Sequence, residues 1–92
     1  MYIILLYDIA ADENGARVSR NVFKTCKKYL VHVQKSVFEG EISEAKLFRL
    51  EKELAAYIRK DSDSVIIFKS RSGKWLEKEF LGTEPERPTN FF

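Results

Sequence analysis

The chain opens on an apolar and aromatic run, Met-Tyr-Ile-Ile-Leu-Leu-Tyr-Asp-Ile over residues 1–9, broken only by Asp8. Successive side chains of a strand point to opposite sides of the sheet, so a run without polar alternation predicts a strand covered on both faces. Asp8 falls where that strand ends, beside the loop Ala10 to Asn14. Open sheets commonly place chemistry there. A carboxylate in that position can equally serve the turn by accepting backbone N–H bonds.

Ala11-Asp12-Glu13-Asn14-Gly15 is a turn whose acids complement the positive end of a following helix. The spacing predicts that helix from about Ala16 to Leu30. At about 100° per residue, Val18, Val22, Phe23, Cys26, Tyr29 and Leu30 share one side. Arg17, Arg20, Lys24, Lys27 and Lys28 share the other. Val31 to Ile42 is β-rich, but its alternation falters around Lys35, which predicts two short strands joined by a tight hairpin or a bulge. Ser43 is an N-cap for a second amphipathic helix from about Glu44 to Lys60, with Arg59 and Lys60 at its negative end. After the polar break Asp61-Ser62-Asp63, the segment Ser64 to Ser70 reads as another strand covered on both faces.

The order β-α-β-β-α-β predicts a ferredoxin-like α+β fold, an antiparallel sheet with both helices on one face and strands 1 and 3 in the middle. Lys74 to Leu81 carries Trp75, Leu76, Phe80 and Leu81, enough for a C-terminal fifth strand. The domain is therefore expected to span residues 1–81, with a tail over 82–92 that contains Pro85 and Pro88. Helices on one face leave the other bare, and Phe91 and Phe92 end the tail. That tail is expected to pack on something, a second copy of the chain being one candidate.

Ninety-two residues make one domain, and 45% hydrophobic with 33% charged residues excludes a disordered or membrane-embedded chain. The longest apolar run is far short of the roughly 20 residues of a membrane span, and the N-terminal run lacks the features of a secretory signal. The lone Cys26 closes no intramolecular disulfide and lies among the apolar helix positions, which fits a small core residue in a reducing cytoplasm.

The net charge of +2 says little, but its distribution says more: Arg17 to Phe38 holds six Lys or Arg residues and none of the fourteen acids. An ordinary solvated helix mixes both signs, as the second helix does. A one-signed face, completed by Lys35 in the hairpin, suits nucleic-acid phosphates. No base-reading motif is present, so backbone contacts are expected. Catalysis has few candidates. His32 is the only histidine, and no nucleophile has a partnered base. The remaining route is Mg²⁺, which needs one or two carboxylates and phosphate oxygens. A single Asp8 is a meagre site, and a two-fold dimer packed near the end of strand 1 would bring two together. Tyr7 would flank them.

Tyr7-Asp8-Ile9, the basic first helix and the run Val33-Gln34-Lys35-Ser36-Val37-Phe38-Glu39-Gly40-Glu41-Ile42-Ser43 together resemble the CRISPR-associated Cas-two family over residues 1 to about 70. The resemblance implies a ferredoxin-like homodimer that joins the Cas-one integrase in capturing new spacers. Some relatives cut RNA or double-stranded DNA with Mg²⁺ through the strand-1 aspartate of both subunits. That role falls on Asp8 as catalytic residue and metal ligand, with Tyr7, Arg17 and Phe38 near the site. Gly15 and His32 stand where some relatives carry arginine. The alternative is a non-catalytic dimeric scaffold that holds duplex DNA by its backbone. A small-molecule sensor on the same fold has no cofactor motif to support it.

Overall fold

The computed structural model describes residues 1–83. Its elements are β1 (Tyr2–Asp8), α1 (Gly15–Tyr29), β2 (Val31–Gln34), β3 (Val37–Glu41), α2 (Glu44–Ala55) and β4 (Ser64–Ser70), followed by a short 3-10 turn, Gly73–Trp75. The four strands lie in the order β2-β3-β1-β4, all neighbours antiparallel, with β1 and β3 central as the ferredoxin-like topology requires. Among the described residues, no helix is long and apolar enough to cross a membrane.

The core forms where both helices cover the face carrying Ile3, Leu5 and Tyr7 of β1 and Phe38 of β3. Val18, Val22 and Cys26 reach it from α1, and Leu47, Leu50 and Leu54 from α2. Each fully buried side chain of this kind stabilises by about 1.5–3 kcal/mol. Cys26 is completely buried, and burial pushes its thiol up to about 12, as suits an unreactive core residue.

Three expectations need correction. The strands are covered on one face only: Ile66 and Phe68 of β4 are 52% and 59% exposed, and Ile4 and Leu6 of β1 stay half-buried. Both helices pack on the opposite face, so Ile66 and Phe68 of the open face stand exposed. Second, α2 stops at Ala55 rather than running to Lys60. The Arg59 N–H, which a continued helix would aim at the fourth preceding carbonyl, instead donates to Asp63 Oδ2 at 3.0 Å.

The α1 helix begins at Gly15, within one residue of its expected start, with the acids in the turn before it. Its entry is held by Asp12, whose Oδ1 accepts the Asn14 N–H and whose carbonyl accepts that of Gly15. Third, no fifth strand forms over Lys74 to Leu81. The Ser72 hydroxyl accepts the Lys74 N–H at 3.1 Å and turns the chain, and Trp75 and Leu81 are left exposed. An extended segment becomes a strand only against a neighbouring backbone, and this one has none in a single chain. It reaches the open face through Lys78, which pairs with the nearly buried Glu39. Pro85, Pro88, Phe91 and Phe92 lie outside the described residues.

The β2–β3 hairpin bears out the faltering pattern. Lys35 sits at the tip with φ 43°, and the register shifts between His32 and Gln34.

Candidate active site

β1 delivers Asp8 to the rim of the sheet. The β1–β3 register ends at Leu6 opposite Val37, whereas the β1–β4 register continues to Asp8 opposite Ser64. Asp8 is therefore flanked by a strand on one side only. A cleft of about 340 Å³ opens beside it, lined by Tyr7, Asp8, Ile9 and Ala10 of the strand end, Gly15 and Ser19 of α1, and Ser36 of the hairpin tip.

The Asp8 side chain is exposed and, among the described residues, makes no hydrogen bond or ion pair. The capping work open to it is done by others. Asp12 receives the Asn14 N–H, and Asp63 Oδ1 receives the Ala10 N–H at 2.9 Å. A carboxylate excused from holding the turn is available to a cation or to a substrate proton.

Tyr7, one residue earlier, points to the opposite face, as strand alternation demands. It is buried, and burial raises its phenol above the ordinary value, with a smaller effect from Cys26 and opposition from the Ser19 hydroxyl. Phe38 is fully buried, stacked 6.2 Å from Tyr7 and packed edge-on at 5.3 Å from Phe23. It supports the strand from below and offers no surface to a substrate. His32 joins the same aromatic layer, 4.9 Å from Phe38, and its Nε2 lies 2.8 Å from the Lys35 carbonyl. The lone histidine braces the hairpin.

The six cations divide. Arg20, Lys24 and Lys27 are exposed along α1 and have no ion pair among the described residues, and Lys35 is exposed at the hairpin tip beside the cleft. Arg17 does not line the Asp8 cleft but a neighbouring groove with Asn14, Asn21 and Tyr57. Lys28 is paired with Glu53 of α2, whose other oxygen accepts the Tyr29 hydroxyl. Lys28 first, and Tyr29 second, hold the Glu53 carboxyl below its ordinary value. Lys28 thus ties the helices together, and its charge is already answered.

Sequence reasoning missed several residues here. Ser19 and Ser36 enter the cleft only through the fold. Arg59, placed at the end of a helix by its periodicity, instead spans Asp63 and Asp12 behind the loop that follows Asp8. One signal was available: an arginine four residues before an aspartate, at the start of the strand that pairs with β1.

The donor chemistry suits Mg²⁺ only in part. A hard cation that keeps most of its waters accepts one carboxylate, the rest coming from phosphate oxygens or a second chain. Among the described residues, no group of three or more His, Cys, Asp or Glu side chains converges on one point. Asp8 fits as one such carboxylate.

Comparisons with known proteins agree with this fold. The family model described as CRISPR associated protein Cas2 matches residues 1–78. A protein of Fusobacterium nucleatum named CRISPR-associated endoribonuclease Cas2 is 53% identical over 91 residues, covering 99% of this chain and 86% of its own. One of Moorella thermoacetica, named CRISPR-associated endoribonuclease Cas2 2, is 44% identical over 97% of this chain and 99% of its own. The crystal structure of Streptococcus pyogenes Cas2 superimposes with a TM-score of 0.78 at 27% identity, covering 89% of this chain and all of that one. A family model spanning most of the chain, close relatives along its full length and the same architecture lead to one conclusion: the chain belongs to the CRISPR-associated Cas2 family.

Proposed function

We propose that this protein is a Mg²⁺-dependent phosphodiesterase that acts as a cytoplasmic homodimer on RNA or double-stranded DNA, and that the same dimer serves spacer acquisition beside the Cas-one integrase. The observation that carries the reading is the unengaged Asp8 carboxylate at the rim of a cleft, in a turn already capped by Asp12 and Asp63. The relatives' name, endoribonuclease, supports the reaction class.

Asp8 from each chain would hold the cation. Bound there, Mg²⁺ supplies charge stabilisation at a phosphoryl oxygen and an acidified water. The chain's own residues do the rest. Tyr7 and Phe38 keep the strand end rigid from beneath. Lys35, Arg20, Lys24 and Lys27 attract and hold the phosphate backbone. Exposed Ile66, Phe68 and Trp75 support association, since an apolar sheet face gains from being covered.

Labelled RNA and duplex DNA incubated with Mg²⁺ test the reading: Asp8→Asn should abolish cleavage, and equal rates for variant and parent would refute it. A second reading, the non-catalytic scaffold, is favoured by one observation. Arg17 faces a groove other than the Asp8 cleft. On that reading Asp8→Asn leaves spacer integration intact, while reversing Arg17, Arg20 and Lys24 to Glu abolishes it.

A further inference from the structure

Beyond Asp8 the sheet no longer holds β1, and a different device takes over. The Ala10 peptide is gripped on both sides: its N–H donates to Asp63 Oδ1 at 2.9 Å, and its carbonyl accepts from Arg59 Nη2 at 3.3 Å. Arg59 also donates through Nε to Asp63 Oδ2 at 2.9 Å and through Nη2 to Oδ1 at 3.0 Å. Its Nη1 reaches both oxygens of Asp12, at 2.7 and 2.9 Å. The Asp63 side chain is fully buried, and it additionally accepts the Arg59 backbone N–H. Two of the loop's residues and the entry to β4 are thereby tied to one guanidinium.

We propose that Arg59 and Asp63 form a positioning clasp for Asp8: by fixing both sides of the Ala10 peptide, two residues downstream, they set the direction in which β1 leaves the sheet. The Asp8 carboxylate has no tether of its own among the described residues, so the direction of the backbone sets the range of positions that its rotamers can reach. The planar fork of arginine matters, because one lysine ammonium cannot meet Asp12, Asp63 and a carbonyl from three directions. Asp63 begins where the β1–β4 register closes at Asp8 and Ser64, so the clasp continues the ladder with side chains in place of backbone. This inference rests on the reading of Asp8 as the reacting centre and adds the residues that aim it.

The test compares the parent with Arg59→Lys and with the double variant Arg59→Gln/Asp63→Asn, which leaves no buried charge unpaired should the single change fail to fold. Amide hydrogen exchange is read at Asp8 and Ala10, against Leu5 and Val22 as core references, and RNA and duplex DNA cleavage with Mg²⁺ is read as kcat and KM. The clasp predicts about tenfold faster exchange at Ala10 with unchanged core amides. It also predicts kcat lower by about 10- to 100-fold at constant KM, as for a displaced reacting group. Unchanged exchange at Asp8 and Ala10 in both variants would overturn the clasp. So would faster exchange with full kcat, in a chain whose Asp8→Asn variant is inactive. If Asp8→Asn cleaves as fast as the parent, the nuclease reading falls, and the exchange data alone still decide whether the clasp holds Asp8.

Discussion

The Tyr7 N–H donates to the Ser36 carbonyl at 3.2 Å, which ties the β2–β3 hairpin tip to the residue immediately before Asp8. The tip is thereby a fixed wall of the Asp8 cleft. Its other residue, Lys35, carries φ 43°, a conformation that costs a residue with a Cβ.

Lys35→Gly should therefore stabilise the fold slightly, by about 0.5 kcal/mol in urea unfolding, because relief of the left-handed strain outweighs the added freedom of the unfolded chain. The same substitution should weaken nucleic-acid binding, since it removes a cation from the cleft's edge. A lower urea midpoint would show that Lys35 contributes packing that outweighs its strain.

Gly15 is fixed by close approach. A Cβ there would stand 2.2 Å from the Ala10 carbonyl oxygen, the atom that also accepts from Arg59 and from the Asp12 N–H. Gly15→Ala should destabilise by about 1–3 kcal/mol despite the better helix propensity of alanine. A neutral or stabilising result in urea unfolding would mean that the loop yields freely.

The cations of α1 should separate in a salt titration. Lys24→Ala should reduce the slope of log K against log salt for duplex DNA by about 0.9, as expected for one lost phosphate contact. Lys28→Ala should leave that slope unchanged, because its charge is already taken by Glu53. Equal effects at both positions would show that the Glu53 pair opens when nucleic acid binds.

The clasp also fixes a pH dependence. Arg59 holds the carboxyls of Asp63 and Asp12 below the ordinary aspartate value of 3.8. A depressed carboxyl stabilises the fold fully above its unfolded value and loses that contribution as pH falls through the folded one. The stability difference between the parent and Asp63→Asn should thus be flat from about pH 5 to 8 and shrink below about pH 4. A difference that grows on acidification would contradict the assignment.

Much of this was legible in the residues. The β-α-β-β-α-β order, the hairpin at Lys35 and the core role of Cys26 followed from periodicity, because the burial of apolar positions on one side is local information. The misreadings share another cause. Val65-Ile66-Ile67-Phe68 has the composition of a strand covered twice, but coverage of the second face is a property of whatever meets the open sheet. Trp75 to Leu81 has strand-forming residues without a neighbouring edge. The Arg59 clasp was hidden because Arg59 and Asp12 lie 47 residues apart, and only the pairing of β1 with β4 brings them together. Asp8 could be singled out from sequence, but that its carboxylate stands unengaged required the positions of Asp12 and Asp63.

On the proposed function, two Asp8 carboxylates, one from each chain, make one reacting site. Mixed dimers test this pairing: parent and Asp8→Asn chains are unfolded together, refolded in equal amounts, and assayed for Mg²⁺-dependent cleavage. A shared site predicts that only dimers of two parent chains cut, leaving about a quarter of the parent activity. Retention of about half, in proportion to the parent chains present, would contradict the claim by showing that each Asp8 works alone.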